Sequence, residues 1–258
     1  MDRVAFSIGS LVITWYGILV VTGFVLGLWT ASRRCLRDRI APELVADLGL
    51  WLMVGAIAGS RLWYVVAFWH EEFARRPLWE VLAIYHGGLV FYGGLIGASL
   101  ATVFYARARA VPLWKLADTL APSIALGQAC GRVGCFLNGC CYGSACTLPW
   151  AVHYADLAPA SPGTGVHPTQ LYESGLDLLL YLTLAWHHRR KRFDGQTFAL
   201  YLVAYGALRF AVEFFRGDYA LRYLGGWATP GQLASVVVAA AGVIVWWTQS
   251  RGPALRAP

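Results

Sequence analysis

Seven stretches of this 258-residue chain run nearly free of charge for about 20 residues each, near 11–31, 44–68, 87–106, 116–137, 170–187, 196–215 and 231–248. A run of that length is what an α-helix needs to cross the ~30 Å hydrocarbon core of a bilayer. Within that core every backbone N–H and C=O must be satisfied inside the segment. The expected fold is therefore an all-α integral membrane protein of about seven transmembrane helices. A soluble helical protein is excluded by surface: with 58% hydrophobic and 14% charged residues, too little polar surface remains to cover seven such helices.

No cleavable leader is expected, because the first run begins after only Asp2 and Arg3 and no small-residue cleavage site precedes Arg33 and Arg34. Arg33, Arg34, Arg37 and Arg39 follow the first run, Arg107, Arg109 and Lys115 the third, Arg189, Arg190, Lys191 and Arg192 the fifth, and Arg251 and Arg256 the last. The other side carries Arg3, Arg75, Arg76, Arg216 and Arg222. Basic loops stay in the cytoplasm, which puts the N-terminus outside and the C-terminus inside. This bias and anionic lipid headgroups account for the net charge of +7, so no nucleic-acid partner is called for. A single polytopic domain over 1–258 is expected, with outer excursions near 69–86 and 138–169.

Three arginines lie inside or at the rim of apolar runs, where a charge costs about 2.5–3.5 kcal/mol and is kept for a partner or a function. Arg209 has Glu213 four residues on, on the same helical face, and reads as a structural ion pair. Arg61 has no acidic neighbour within a turn, leaving structure and anion binding equally open. Arg132 sits among Gly131, Gly134, Gly139 and Gly143, where backbone can approach a ligand closely. There a guanidinium suits an anionic headgroup, since its planar fork holds two phosphate oxygens and never loses its charge. Arg216, ending the sixth run on the same outer side, is a second such cation. Gly23 and Gly27, like Gly93 and Gly97, have the spacing of close helix packing.

Taken together the motifs resemble the prolipoprotein diacylglyceryl transferase family of the bacterial inner membrane. They are FSIGSLVITWYG at 6–17, GSRLWYV at 59–65, HGGLVFYGGLIG at 86–97, GRVGCFLNG at 131–139, HPTQLYE at 167–173 and YGALRFAVEFFR at 205–216, followed by GQLAS at 231–235. The resemblance implies a multi-pass enzyme with its site toward the outer face. It would transfer the diacylglyceryl group of phosphatidylglycerol to the lipobox cysteine of a prolipoprotein, forming a thioether and releasing glycerol phosphate, with membrane lipids around it and no cofactor or metal. By the same resemblance Arg132 binds the headgroup, Arg216 stands near the leaving phosphate, and Tyr16, Asn138, Glu173 and Glu213 line the site. For His167, a cap or packing role and a site role stand level, and Pro168 is expected in the first turn of the fifth helix.

The chain departs from the family's pattern in two places. Many members read FHGG with a histidine in the role of base, whereas this chain has Tyr92, and a phenol is a poor base at neutral pH. Either His86 takes the proton, or Tyr92 donates a hydrogen bond and the base lies elsewhere. Cys135 and Cys140 stand where many members have asparagine and an acidic residue. The cysteines also raise two rival readings, a quinone-linked thiol oxidoreductase using Cys140 and Cys141 and a transporter with an anion site at Arg132. The first lacks a C-x-x-C pair and the second lacks symmetry between halves. Cys130 and Cys135 are expected as small hydrophobes at the end of the fourth helix. One disulfide is expected from Cys146 to Cys140 or Cys141, ahead of a metal site that would use His153.

Overall fold

The computed structural model describes residues 3–9, 11–74, 76–84, 87–154, 164–217, 223 and 228–251. Each apolar run holds one long helix, with edges moved by local chemistry. The chain opens with a hairpin, β1 (Val4–Ile8) antiparallel to β2 (Leu11–Thr14), pairing Phe6 with Ile13 and Ser7 with Val12. The first run thus starts as a strand, in keeping with its β-branched Val12, Ile13 and Thr14. Helix α1 (Trp15–Cys35) follows, with the Gly17 N–H donating to Thr14 Oγ1 at 3.2 Å as a cap. Helix α2 (Pro42–Ala67) begins on a proline, where no hydrogen bond is lost. Gly87 and Gly88 hold left-handed backbone at φ 86° and 74°, so α3 (Phe91–Ala108) starts later than its apolar run.

Helices α4 (Leu113–Asn138), α5 (Thr169–His188), α6 (Gln196–Glu213) and α7 (Pro230–Gln249) complete the set. Pro168 precedes α5 rather than entering its first turn. The protein is mostly helical, and four stretches, Trp15–Asp38, Pro42–Ala67, Leu113–Asn138 and Pro230–Gln249, are long and apolar enough to cross a membrane. Leu62, Val66, Val237 and Ile244 point outward from two of them, a surface suited to hydrocarbon rather than water.

The chain divides into two units. In residues 32–116, α2 lies on α3 through glycine: a Cβ on Gly55 would stand 2.7 Å from Gly97 O, and Gly59 meets Gly93 backbone to backbone. The open question at Arg61 is answered in favour of structure. Its Nε donates to Val81 O (2.8 Å), Nη1 to Gly87 O (2.8 Å) and Gly88 O (3.3 Å), and Nη2 to Glu80 O (2.7 Å). The guanidinium also lies 5.3 Å from the Phe73 ring centroid. A buried cation here closes the loop ahead of α3.

In residues 1–31 and 117–258, α1 packs on α4 at Gly23 and Gly27. A Cβ on Gly23 would meet Cys130 Cβ at 2.8 Å, and one on Gly27 would meet Ser123 O at 3.3 Å. Helices α6 and α7 meet at Gly206, against Ser235 and Ala239. Ala121, Ala125, Leu180, Leu184 and Tyr201 form a core cluster from α4, α5 and α6. Asp118, fully buried on α4, accepts the Gly195 N–H (2.8 Å) and the Phe198 N–H (2.9 Å) and pairs with Lys191 Nζ (3.1 Å). It therefore caps α6 from another helix, and Lys191, which reads in the sequence as a topology charge, is its counter-ion.

Candidate active site

A line of charges crosses the second of these units. Arg132 near the end of α4 places Nη2 2.7 Å from Glu173 Oε1 on α5. The same oxygen lies 3.8 Å from Arg209 Nε on α6, and Arg209 Nη1 reaches Glu213 Oε2 at 2.5 Å. Glu213 Oε1 accepts from Thr229 Oγ1 at 2.7 Å. Thr229 is itself the N-cap of α7, in a capping box with Gln232. The Glu213 carboxylate lies where a side chain on Gly231 would begin, so a larger residue there would push the carboxylate aside. The expected Arg209–Glu213 pair is present, but it is one link of a longer chain.

Burial along this line is uneven. The side chains of Glu173 and Glu213 are 4% and 0% exposed, Arg209 is 11% exposed and Arg132 is 21% exposed. The carboxylates are sealed in, while the Arg132 side chain, paired with Glu173, is only partly buried. Asp177, one turn along α5 from Glu173, is also buried, and its Oδ2 has no hydrogen-bond partner among the described residues.

Beside Arg132 the backbone after α4 is stitched to two distant segments. Gly143 N donates to His167 O (2.9 Å), His167 N to Ser144 O (3.0 Å) and Ser144 N to Phe215 O (2.8 Å), with Gly143 bridged to Arg216. A Cβ on Gly143 would fall 2.5 Å from His167 Cβ and 2.7 Å from Phe215 O. The start of α5 fastens the same loop: Thr169 Oγ1 donates to Cys141 O (2.9 Å) and Gln170 Nε2 to Cys140 O (2.7 Å). Three motifs far apart in sequence, around 139–144, 167–173 and 214–217, thus form one small surface. His167 Nδ1 lies 3.3 Å from Tyr172 OH, which accepts from Trp150 Nε1 at 2.7 Å, and its ring stands edge-on to Phe215 at 5.4 Å.

The thiols do not follow the expected pattern. All six cysteines are free, so the disulfide expected from Cys146 to Cys140 or Cys141 is not formed. Backbone pairing draws Cys146 to the other flank of the loop, through Cys146 N to Gly165 O at 2.8 Å and the bridge from Ala145 to Val166. Instead the sulfurs of Cys135, Cys140 and Cys141 lie within 4.8 Å of one another. Asn138 Nδ2 points at Cys140 Sγ (3.6 Å). Hydrogen bonds from Cys135 and Cys140, and behind them the charges of Arg216 and Arg132, hold the Cys141 thiol below its ordinary range. Tyr154, whose hydroxyl donates to Phe136 O at 3.2 Å, supports the loop from beneath, and burial pushes its phenol up to about 12.

Arg132, Glu173, Glu213, Arg216, Asn138, His167 and Tyr16 accordingly belong to one unit. Tyr16, in the first turn of α1, packs its ring on Gly134, where a Cβ would come within 3.1 Å. Tyr92 belongs to the other unit, exposed in the first turn of α3 with its ring 5.9 Å from that of Phe91. His86 lies outside the described residues, as do Arg75, Arg222 and Arg256. Thr169, Gln170, Thr229 and Gly231 were not singled out from sequence. Thr169 and Gln170 lie within HPTQLYE and Gly231 within GQLAS, and the T-x-x-Q spacing of Thr229 and Gln232 is the local signal for the cap of α7.

Comparison with known proteins shows the family. Residues 3–248 match the family model described as prolipoprotein diacylglyceryl transferase. A phosphatidylglycerol–prolipoprotein diacylglyceryl transferase of Synechococcus elongatus is 40% identical over 93% of this chain and 85% of its own length. The enzyme of the same name from Finegoldia magna is 39% identical over 95% and 94%, and that of Chromohalobacter salexigens 35% over 98% and 94%. With a match along nearly its whole length, the chain belongs to the prolipoprotein diacylglyceryl transferase family.

Proposed function

We propose that the chain transfers the diacylglyceryl group of phosphatidylglycerol to the lipobox cysteine thiol of a prolipoprotein, the first step of lipoprotein maturation. The observation that carries this reading is Arg132, held by buried Glu173 and itself only partly buried, in a chain of this family. In the reaction the acceptor sulfur attacks the glycerol carbon that bears the phosphate. The S–C bond forms, the C–O bond breaks, glycerol phosphate leaves with the bonding electrons, and the thiol proton passes to a base. Charge grows on the departing oxygens, so a fixed guanidinium is worth more in the transition state than in the ground state. Arg132 supplies that charge, and Glu173 holds it in place without the cost of ordering it during the reaction. Arg216, carried on the strand-like pairing with Gly143, is the second cation on the same surface. Tyr16, Asn138 and His167 line it, and Glu213 anchors the line of charges from below. With Tyr92 standing where many members of the family have a histidine, either His86 takes the proton or Tyr92 donates a hydrogen bond and the base lies elsewhere.

Around this site we place one polytopic domain of seven spans in the bacterial inner membrane, N-terminus outside, C-terminus cytoplasmic, with the site toward the outer face. The distribution of basic residues supports the orientation. The partners are phosphatidylglycerol, lipobox signal peptides and bulk lipid, with no role for nucleic acid. The test is incubation of the purified chain with phosphatidylglycerol vesicles and a lipobox peptide. The expected result is a peptide heavier by one diacylglyceryl group, with glycerol phosphate released in equal amount. No transfer from phosphatidylglycerol, or equal transfer by Arg132→Ala, would overturn the reading.

A further inference from the structure

The thiol trio has no place in the reaction as derived above, yet the structure builds it with care. We infer that Cys135, Cys140 and Cys141 form a three-thiolate site for one thiophilic divalent ion of the zinc class. Zinc–sulfur bonds of about 2.3 Å set tetrahedral sulfurs about 3.8 Å apart. The three sulfurs here already lie within 4.8 Å of one another, so side-chain rotations that shorten these separations by up to about 1 Å close the site.

Several features make this a held arrangement rather than a chance cluster. Cys135 comes from the last turns of α4, and the chain then reverses through Gly139 and Cys141, both left-handed at φ 71° and 62°. Such backbone is unfavourable for a residue with a Cβ, so the fold maintains it at a cost. Cys140 N donates to Cys135 O (3.2 Å), and Gln170 and Thr169 grip the carbonyls of Cys140 and Cys141. These contacts fix the chain on both sides of the two adjacent thiols. The Asn138 amide donates to Cys140 Sγ, the kind of outer contact that orients a metal-bound thiolate. Three thiolates and a divalent ion leave one negative charge, and Gly143, two residues past Cys141, is bridged to the basic Arg216. Three protein ligands leave a fourth position for water or an incoming thiol. A soft donor set of this kind selects zinc, cadmium or cuprous copper over magnesium or calcium. The inference rests on the geometry of the trio and not on the proposed transfer reaction.

The test uses the full chain, untagged, purified in detergent under reductant, stripped with a chelator and titrated with cobalt(II) and then zinc. Cobalt should bind one equivalent per chain with a thiolate-to-metal charge-transfer band, and zinc should displace it. Cys141→Ser and Cys135→Ser should each weaken binding at least ~10-fold, while Cys146→Ser and Cys130→Ser should leave it unchanged. In the unmutated chain, zinc should protect three thiols from alkylation, and mass spectrometry should identify them as Cys135, Cys140 and Cys141. A missing charge-transfer band, protection of other thiols, or a disulfide within the trio after anaerobic purification would each overturn the site. Because binding and protection are read without turnover, failure here leaves the transferase reading untouched, and loss of transfer leaves the metal site untouched.

Discussion

Replacing Arg132 by lysine should cripple transfer while sparing the fold. Arg132 spends Nη2 on Glu173 at 2.7 Å and keeps about a fifth of its side chain exposed. A planar guanidinium so anchored can still offer parallel donors to a phosphate. A lysine ammonium preserves the charge but is a point donor that must divide itself between Glu173 and the ligand. One charge-assisted hydrogen bond lost is worth about 1.5–3 kcal/mol. If that bond strengthens as the phosphate leaves, kcat/KM falls by about 10- to 150-fold. Arg132→Ala removes the charge too and should fall further. Its structural cost is limited, because Glu173 keeps Arg209 at 3.8 Å and because Arg132 is only partly buried. About 2–3 kcal/mol of stability is the expected loss, below the full cost of stranding a buried charge. The assay is transfer from phosphatidylglycerol to a lipobox peptide, run beside thermal unfolding in detergent. Turnover of the lysine variant within about 3-fold of the parent would refute the two-donor argument. Collapse of its folded fraction would show that the arginine is structural.

Four further outcomes follow from the same geometry. Gly143→Ala drives a methyl group into His167 and the Phe215 carbonyl, and a loss of about 1–3 kcal/mol should lower Tm; an unchanged Tm would contradict the close pairing. Thr229→Val removes both the donor to Glu213 and the cap of α7, for about 1–3 kcal/mol, and Thr229→Ser should restore most of it. Tyr154 stays protonated in the folded chain up to about 12, so the unfolded state loses its proton first as pH rises. Its contribution is whole below about pH 10 and falls by about 2 kcal/mol toward pH 12, so Tyr154→Phe should flatten the alkaline decline in Tm, and an identical decline would remove Tyr154 as its cause. His86→Gln should abolish the acidic limb of the pH–rate profile and cost more activity than Tyr92→Phe; a limb that survives there and vanishes in another variant moves the base to that residue.

The elements whose information is local were legible in the chain itself. Each apolar run marked a long helix among the described residues, four of them long and apolar enough to cross a membrane, because a helix satisfies its backbone groups internally and so needs only contiguous apolar residues. Arg209 and Glu213 were paired from their spacing, and Gly23, Gly27, Gly93 and Gly97 from theirs, because positions three and four apart share a helical face. What that periodicity leaves open is which distant residue arrives opposite. Arg132 reads as a lone cation until α5 brings Glu173 to it, and Arg61 reads equally as anion site or structural cation until Glu80, Val81, Gly87 and Gly88 supply the carbonyls that consume its donors. Asp118 looks misplaced in an apolar run until α6 presents its first N–H groups. The cysteines give the sharpest contrast. Compartment and spacing pointed to Cys146 as a disulfide partner, but pairing of Cys146 with Gly165 and the left-handed turn at Cys141 place Cys135, Cys140 and Cys141 together. Thiol proximity depends on backbone turns and long-range hydrogen bonds that no local pattern encodes, so only the tertiary structure could decide it.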